Sequence, residues 1–236
     1  MKTYIITGTS GGLGNAFFKE VLAKKDRENA RIVCLSRRFL AEQEEAATQD
    51  ERIVLFQTDL ADVTSLPTAD DFAKWIDEET EEVVFINNAA VVEPIGPVGT
   101  FDDEAIIQAV QVNVTAAMLL TNTLFSLPAV ERATKRVRLL NISSGAAKRP
   151  IGGWAVYCAV KAGNEMFYDV LATRYEGNAN MHIHNINPGV MDTNMQATIR
   201  KSHFPDRERF LKLKEENQLP TPESVAQKIL SEYGGE

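Results

Sequence analysis

The 236-residue sequence predicts a doubly wound α/β fold: a parallel sheet in the order 3-2-1-4-5-6 with helices on both faces. Three observations carry this. Six short runs rich in β-branched residues recur, stretches with helical spacing separate them, and a glycine-rich turn directly follows the first run. Strands alternating with helices make βαβ units, and right-handed crossovers leave few other topologies. The runs are apolar on both faces or nearly so, as suits strands covered on each side.

The first run, YIIT (4–7), enters TGTSGGLG, Thr7 to Gly14, which opens the helical stretch LGNAFFKEVLAKK. Its glycines do not fit GxGxxG, but the physical task is the same. Such a turn brings backbone N–H groups and a positive helix end to a pyrophosphate, which makes Thr7, Gly8, Ser10, Gly12, Leu13 and Gly14 candidates for cofactor binding. The second run, RIVCLS (31–36), closes on LSRR, and FLAEQEEAATQ follows as a helix. Ser36, Arg37 and Arg38 offer donors and no carboxylate, which favours the 2′-phosphate of NADP over the free ribose of NAD; otherwise they are two solvated arginines starting a helix. The third run, IVLFQT (53–58), ends at Asp59 and Leu60. Asp59 either accepts from an adenine amino group or caps the next helix, LPTADDFAKWIDEE.

The fourth run, VVFIN (83–87), ends in NNAA. Asn87 and Ala89 there are candidates to line the cofactor cleft, and the polar amides to pair neighbouring strands, two compatible roles. After EPIGPVG (93–99) comes the longest helical stretch, DDEAIIQAVQVNVTAAMLLTNTLFS. The fifth run, VRLLNIS (137–143), leads into Ser144 and the loop GAAKRPIGG (145–153), then the helix AVYCAVKAGNEMFYDVLATRYE. Both irregular stretches sit beyond strand ends, where ligands bind in open α/β sheets. Tyr157 and Lys161, four apart, share one helix face. A nearby ammonium lowers a phenol's pKa from about 10, so Tyr157 becomes a proton donor for an oxygen whose carbon accepts hydride, with Ser144 bonded to that oxygen. Taken alone, such a pair reads as an ordinary helix edge. The sixth run is HIHNIN (182–187). Residues 190–222, charged and broken by Pro205, Pro220 and Pro222, are expected to form a helical lid over the site, or else a surface excursion.

No composition shift or repeat marks a boundary, so 1–236 is expected to be a single domain. A net charge of −8 argues against a nucleic-acid partner. No stretch is expected to approach a membrane span, and MKTYIITG runs straight into a strand, so a cytoplasmic protein is expected. Cys34 and Cys158 lie in apolar runs and read as buried free thiols; no metal-binding spacing is present.

Six motifs in register resemble the short-chain dehydrogenase/reductase family over nearly the whole chain: TGTSGGLG, NNAA, VNVT, ISSG, YCAVK and PGVMDT. The resemblance implies a Rossmann-type fold and an NADP-dependent oxidoreductase acting on a small-molecule carbonyl. It makes Tyr157 the acid/base, with Lys161 binding the nicotinamide ribose and lowering the tyrosine pKa, and Ser144 positioning the substrate. Asn113 would hold a water of the proton relay from a locally kinked helix. Pro188, Gly189, Val190 and Thr193 resemble the positions on the nicotinamide carboxamide and phosphate side. NISSGAAKRPIGGWAVYCAVKAG and NPGVMDTNMQATIR look like the sepiapterin-reductase-like branch, and within it the bacterial benzil reductases. That implies reduction of a ketone or aromatic α-dicarbonyl, with Trp154, Met191, Met195 and Phe204 as either an apolar substrate wall or core packing. A pteridine reductase and a non-catalytic NADP-sensing protein are the alternatives. Two departures stand out: Ala90 where glycine is usual, and QKILSEYGGE at the end in place of the family's usual seventh strand. The long helices 102–127 and 155–176 resemble those through which family members form homodimers or homotetramers.

Overall fold

The computed structural model describes residues 1–235, with side chains for all but residues 26–28; residue 236, the expected domain end, lies outside the described residues. Six strands form one sheet: β1 (Lys2–Thr7), β2 (Ala30–Ser36), β3 (Ile53–Gln57), β4 (Glu82–Asn87), β5 (Arg136–Ile142) and β6 (Met181–Ile186). Their order is β3-β2-β1-β4-β5-β6, and every pairing is parallel. Every residue of β1 and β4 is buried, because helices cover both faces of the sheet centre.

The helices are α1 (Gly12–Glu28), α2 (Ala41–Gln49), α3 (Ala69–Trp75), α4 (Asp103–Val110), α5 (Ala116–Phe125), α6 (Pro128–Glu131), α7 (Ala155–Arg174), α8 (Asn194–Lys201), α9 (Arg207–Glu215) and α10 (Pro222–Tyr233). On one face, Phe17 and Phe18 of α1 and Ile229 of α10 pack on Ile6 and Ile86. On the other, Phe72 of α3, Leu120 of α5 and Tyr168 of α7 pack on Ile5 and Phe85. Alternate residues of one strand thus feed two separate cores.

Several expectations need correcting. Residues 103–125 form one rod whose length and composition suffice to cross a membrane, with a mean hydropathy of 1.3. It instead contributes Ala116, Leu120 and Leu124 to the core. The rod's middle, Gln111–Thr115, is a π segment. β6 is only half buried between its ends, where His182, His184 and Asn185 break the apolar run at a sheet edge. Cys158 is half-buried rather than buried, while Cys34 is fully enclosed; both are free thiols. The expected lid region contains α8 and α9. The sequence reading assigned no helix to the segment after it, but α10 starts on a Thr221 cap with Pro222 in its first turn. It buries Val225, Ala226, Ile229 and Leu230.

Candidate active site

A cleft of about 670 Å³ opens at the C-terminal ends of the strands. One end is lined by the turn after β1, by Ser36, Arg37 and Arg38 after β2, and by Asp59 and Leu60 after β3. The other end is lined by Ser144, Trp154, Tyr157 and Lys161, with Pro188, Gly189, Val190, Met191, Thr193 and Met195 along the far wall.

The glycine turn is built for close approach. Gly8 adopts φ +75°, and a Cβ there would stand 3.0 Å from Ala89. A Cβ on Gly14 would lie 2.1 Å from the Gly8 carbonyl oxygen, so α1 can press onto the turn only without a side chain. Gly8, Ser10, Gly12 and Leu13 face the cleft, whereas Thr7 and Gly14 stand behind its wall. Thr7 acts as a clamp: its hydroxyl accepts the backbone N–H groups of Asn88 (2.9 Å) and Ala89 (3.0 Å). Thr193 caps α8 and comes within 3.3 Å of the position a Gly12 Cβ would take, closing the turn from the opposite side. Arg37 and Arg38 are exposed, and neither guanidinium has an ion pair among the described residues. A donor-lined turn at a helix start, an open Gly11 and two free guanidiniums fit the pyrophosphate and 2′-phosphate of a nicotinamide dinucleotide. Asp59 lines the cleft; its carboxylate accepts from Ala61 N at 3.0 Å and does not cap α3, whose cap is Thr68.

Asn87 does not line the cleft. It lies in register with Asn141 and Asn185, so their amides form a ladder across three strands. Asn87 Nδ2 donates to Asn141 Oδ1 at 2.8 Å, and Asn141 Nδ2 donates to Asn185 Oδ1 at 2.7 Å. Asn185 Nδ2 then donates to the Glu165 carbonyl (2.9 Å) and to Asp169 Oδ1 (2.7 Å), which fastens α7 to the sheet.

On α7, Lys161 is 5 % exposed and donates from Nζ to the Ile142 carbonyl at 2.9 Å. Its ammonium stands 5.9 Å from the Tyr157 ring centroid. Burial pulls the Lys161 pKa down to about 8, and Glu165 opposes that pull. Burial also pushes Tyr157 up to about 12, against the lowering effect of its hydrogen bond with Ser144. In the protein alone, burial therefore outweighs the lowering expected from Lys161. Asn113 is 2 % exposed and does not reach the cleft. Its Nδ2 donates to Ala109 O (2.8 Å) and Val91 O (3.0 Å), and its own carbonyl accepts Asn164 Nδ2 at 2.8 Å. The kink expected at this residue is the π segment.

The other end is aromatic. Trp154 packs edge-on against Tyr157 with ring centroids 5.5 Å apart, and Phe210 lies 5.4 Å from Trp154. Trp154, Met191 and Met195 line the cleft; Phe204 does not, but backs Trp154 at 5.6 Å. Of the two NNAA amides it is Asn88 that lines the cleft; sequence reasoning missed Ile199 of α8 and Phe210 of α9, and Arg149 and Arg209 at the rim. The one available signal was the apolar positions 199 and 210 in otherwise charged helices.

Residues 2–203 match the family model described as short chain dehydrogenase. Over 238 residues the chain is 40% identical to the benzil reductase ((S)-benzoin forming) of Bacillus cereus, covering 97% of this chain and 92% of that one. It is 27% identical over 241 residues to the sepiapterin reductase of Rattus norvegicus, covering 96% and 89%. The crystal structure of the KRED1-Pglu enzyme matches with a TM-score of 0.79 and 28% identity, covering 98% and 94% of the two chains. With the six-stranded sheet and this match over most of its length, the chain belongs to the short-chain dehydrogenase/reductase family and is an oxidoreductase.

Proposed function

We propose that this enzyme reduces a ketone or an aromatic α-dicarbonyl of the benzil kind to the hydroxy compound, with NADPH as reductant. The observation that carries the reading is the convergence of Ser144, Tyr157 and Lys161 beside an aromatic wall, at the far end of a cleft that begins with a glycine turn and two arginines. Bound NADPH would supply the hydride. Tyr157, protonated at neutral pH, gives its phenolic proton to the carbonyl oxygen as the carbon is reduced. Ser144 hydrogen-bonds that oxygen and holds it against the phenol. Lys161 binds the nicotinamide ribose, and its charge favours the phenolate left behind. Asn113, whose backbone carbonyl accepts Asn164 Nδ2 in the π segment, would hold a water that returns the proton. Trp154, Met191, Met195 and Phe210 would enclose an aryl group, and α8 and α9 would close over it as a lid. The similarity to a benzil reductase supports that substrate class.

The exposed apolar residues Ile107, Val110 and Leu119 on the 103–125 rod, with Met166 and Val170 on α7, support a homodimer or homotetramer built on these helices. Tyr157→Phe removes only the hydroxyl. It should lower kcat by about 10²–10⁴-fold with NADPH affinity retained; a fully active Phe variant refutes the mechanism. Side-by-side turnover of benzil and sepiapterin, read by NADPH absorbance, separates this substrate class from the pteridine alternative.

A further inference from the structure

We propose that Glu165 is a positioning residue for the Tyr157–Lys161 pair, tying the end of β5 to α7 and setting the pH up to which the pair works. This rests on the reading of Tyr157 as the acid. Tyr157, Lys161 and Glu165 follow one another at four-residue intervals, so they climb one face of α7. Two of them grip consecutive residues of the strand end. Lys161 holds the Ile142 carbonyl at 2.9 Å, and Glu165 Oε2 accepts the Ser143 hydroxyl at 2.5 Å. The next residue is Ser144. The spacing between Ser144 and Tyr157 is therefore held by both charged side chains.

Glu165 is a buried carboxylate, 7 % exposed, yet its second oxygen reaches the exposed Lys148 on the loop after β5 in an ion pair. A negative charge one turn from a buried ammonium stabilises the ammonium, and it disfavours a phenolate on the same face. Glu165 accordingly opposes the burial that lowers Lys161. The other ionisable groups around the pair are Cys158 and Asp169 on α7 and Arg149 on the loop. The facing ends of β4, β5 and β6 and the π segment bring amides and hydroxyls, among them Asn87, Asn141, Ser143, Asn185 and Asn113.

Two substitutions separate charge from tethering. Glu165→Gln keeps an acceptor for Ser143 and removes the charge; Lys148→Met leaves Glu165 in place and removes its exposed counter-charge. The basic limb of the kcat/KM profile for benzil should move down by about one pH unit in E165Q. It should move up by a few tenths of a unit in K148M, because the lost charge is solvent-screened. The limb is expected to follow Lys161, the group that Glu165 holds up against burial, and a phenolate on the same face would shift in the same direction. NADPH affinity, read by fluorescence titration across the same pH range, should fall off at a lower pH in E165Q and a higher pH in K148M. If E165Q folds poorly, the surface substitution K148M decides by itself. Limbs that stay in place, or move in the same direction, overturn the assignment. An active Tyr157→Phe would instead sink the underlying reading, so the two failures are distinguishable.

Discussion

Replacing Lys161 by methionine should abolish activity without destabilising the protein at neutral pH. The ammonium is 5 % exposed, and burial brings its pKa from 10.5 to about 8, with Glu165 in opposition. Below pH 8 folded and unfolded chains both hold the proton, and the folded state bears the full cost of the buried charge. Between about 8 and 10.5 the unfolded chain binds more protons, so this group's contribution to stability rises with pH; above that range the cost is gone. At about 1.4 kcal/mol per pH unit, that cost is about 3 kcal/mol at pH 7. Lys161→Met removes it but leaves the Ile142 carbonyl without its donor, at about 1–3 kcal/mol. The variant should thus be as stable as wild type at pH 7 or up to about 2 kcal/mol more so, a Tm gain of up to about 4–8 °C. The gap should narrow through pH 8–10.5 and reverse above it, where only the lost hydrogen bond remains. Paired thermal melts at pH 7 and pH 10.5 measure this, with other titrating groups cancelling in the difference. A methionine variant melting several degrees below wild type at pH 7, by a margin that does not change with pH, would refute the reasoning.

Other consequences are equally direct. Arg37→Ala should raise the KM for NADPH by about 10–100-fold, the worth of charge-assisted bonds to a phosphate, and leave NADH nearly unaffected; equal effects on both would remove the phosphate role. Gly14→Ala should cost about 1–3 kcal/mol and weaken NADPH binding together, because its Cβ would sit 2.1 Å from the Gly8 oxygen and 2.7 Å from Asn88 Nδ2. Met166→Glu puts a charge in the middle of the exposed apolar face, where Met166 is 61 % exposed, and should give monomers in light scattering with the monomer fold intact. An unchanged oligomer would move the interface elsewhere.

The central strands were legible because each is a short apolar run, and a strand covered on both faces has little freedom to look otherwise. YIIT and VVFIN fall inside fully buried β1 and β4. Tyr157 and Lys161 were legible because helical spacing alone puts them on one face. The asparagine ladder was not. Asn87, Asn141 and Asn185 lie 54 and 44 residues apart in sequence, and only the strand register brings them into line. Glu165 was hidden for a related reason: a glutamate in a helix reads as solvated surface until the strand end closes on it. α8 and α9 hid Ile199 and Phe210 because their charged majority masks a narrow apolar stripe. α10 carried a legible start in Thr221–Pro222 and an apolar spacing at 225, 226, 229 and 230.

These differences follow the way the cleft is built. The wall carrying Tyr157 belongs to α7, which the sheet holds at three successive levels: Lys161 on Ile142, Glu165 on Ser143, and the amide ladder on the Glu165 carbonyl and Asp169. Proton transfer demands placement within a fraction of an ångström, and a helix pinned to the ends of two neighbouring parallel strands supplies it. The proposed substrate wall answers to a different constraint. Phe210 hangs on α9, which is joined back to the chain before α8 by the Lys214–Asp192 pair, at 2.5 Å and about half exposed. Phe204 and Pro205 between the two helices lean on Gly152 and Gly153, where a Cβ on Gly153 would come within 2.8 Å of Phe204. A surface ion pair and packing against glycines can be rearranged at small cost, whereas the ladder cannot lose a member without orphaning its neighbours. On the proposed function, changes in α8 and α9 are therefore expected to alter which carbonyl is admitted while Ser144, Tyr157 and Lys161 stay in place. That division fits a chemistry written in a few motifs beside a far wall that motifs reached only in part: Trp154, Met191 and Met195 were legible, Ile199 and Phe210 were not.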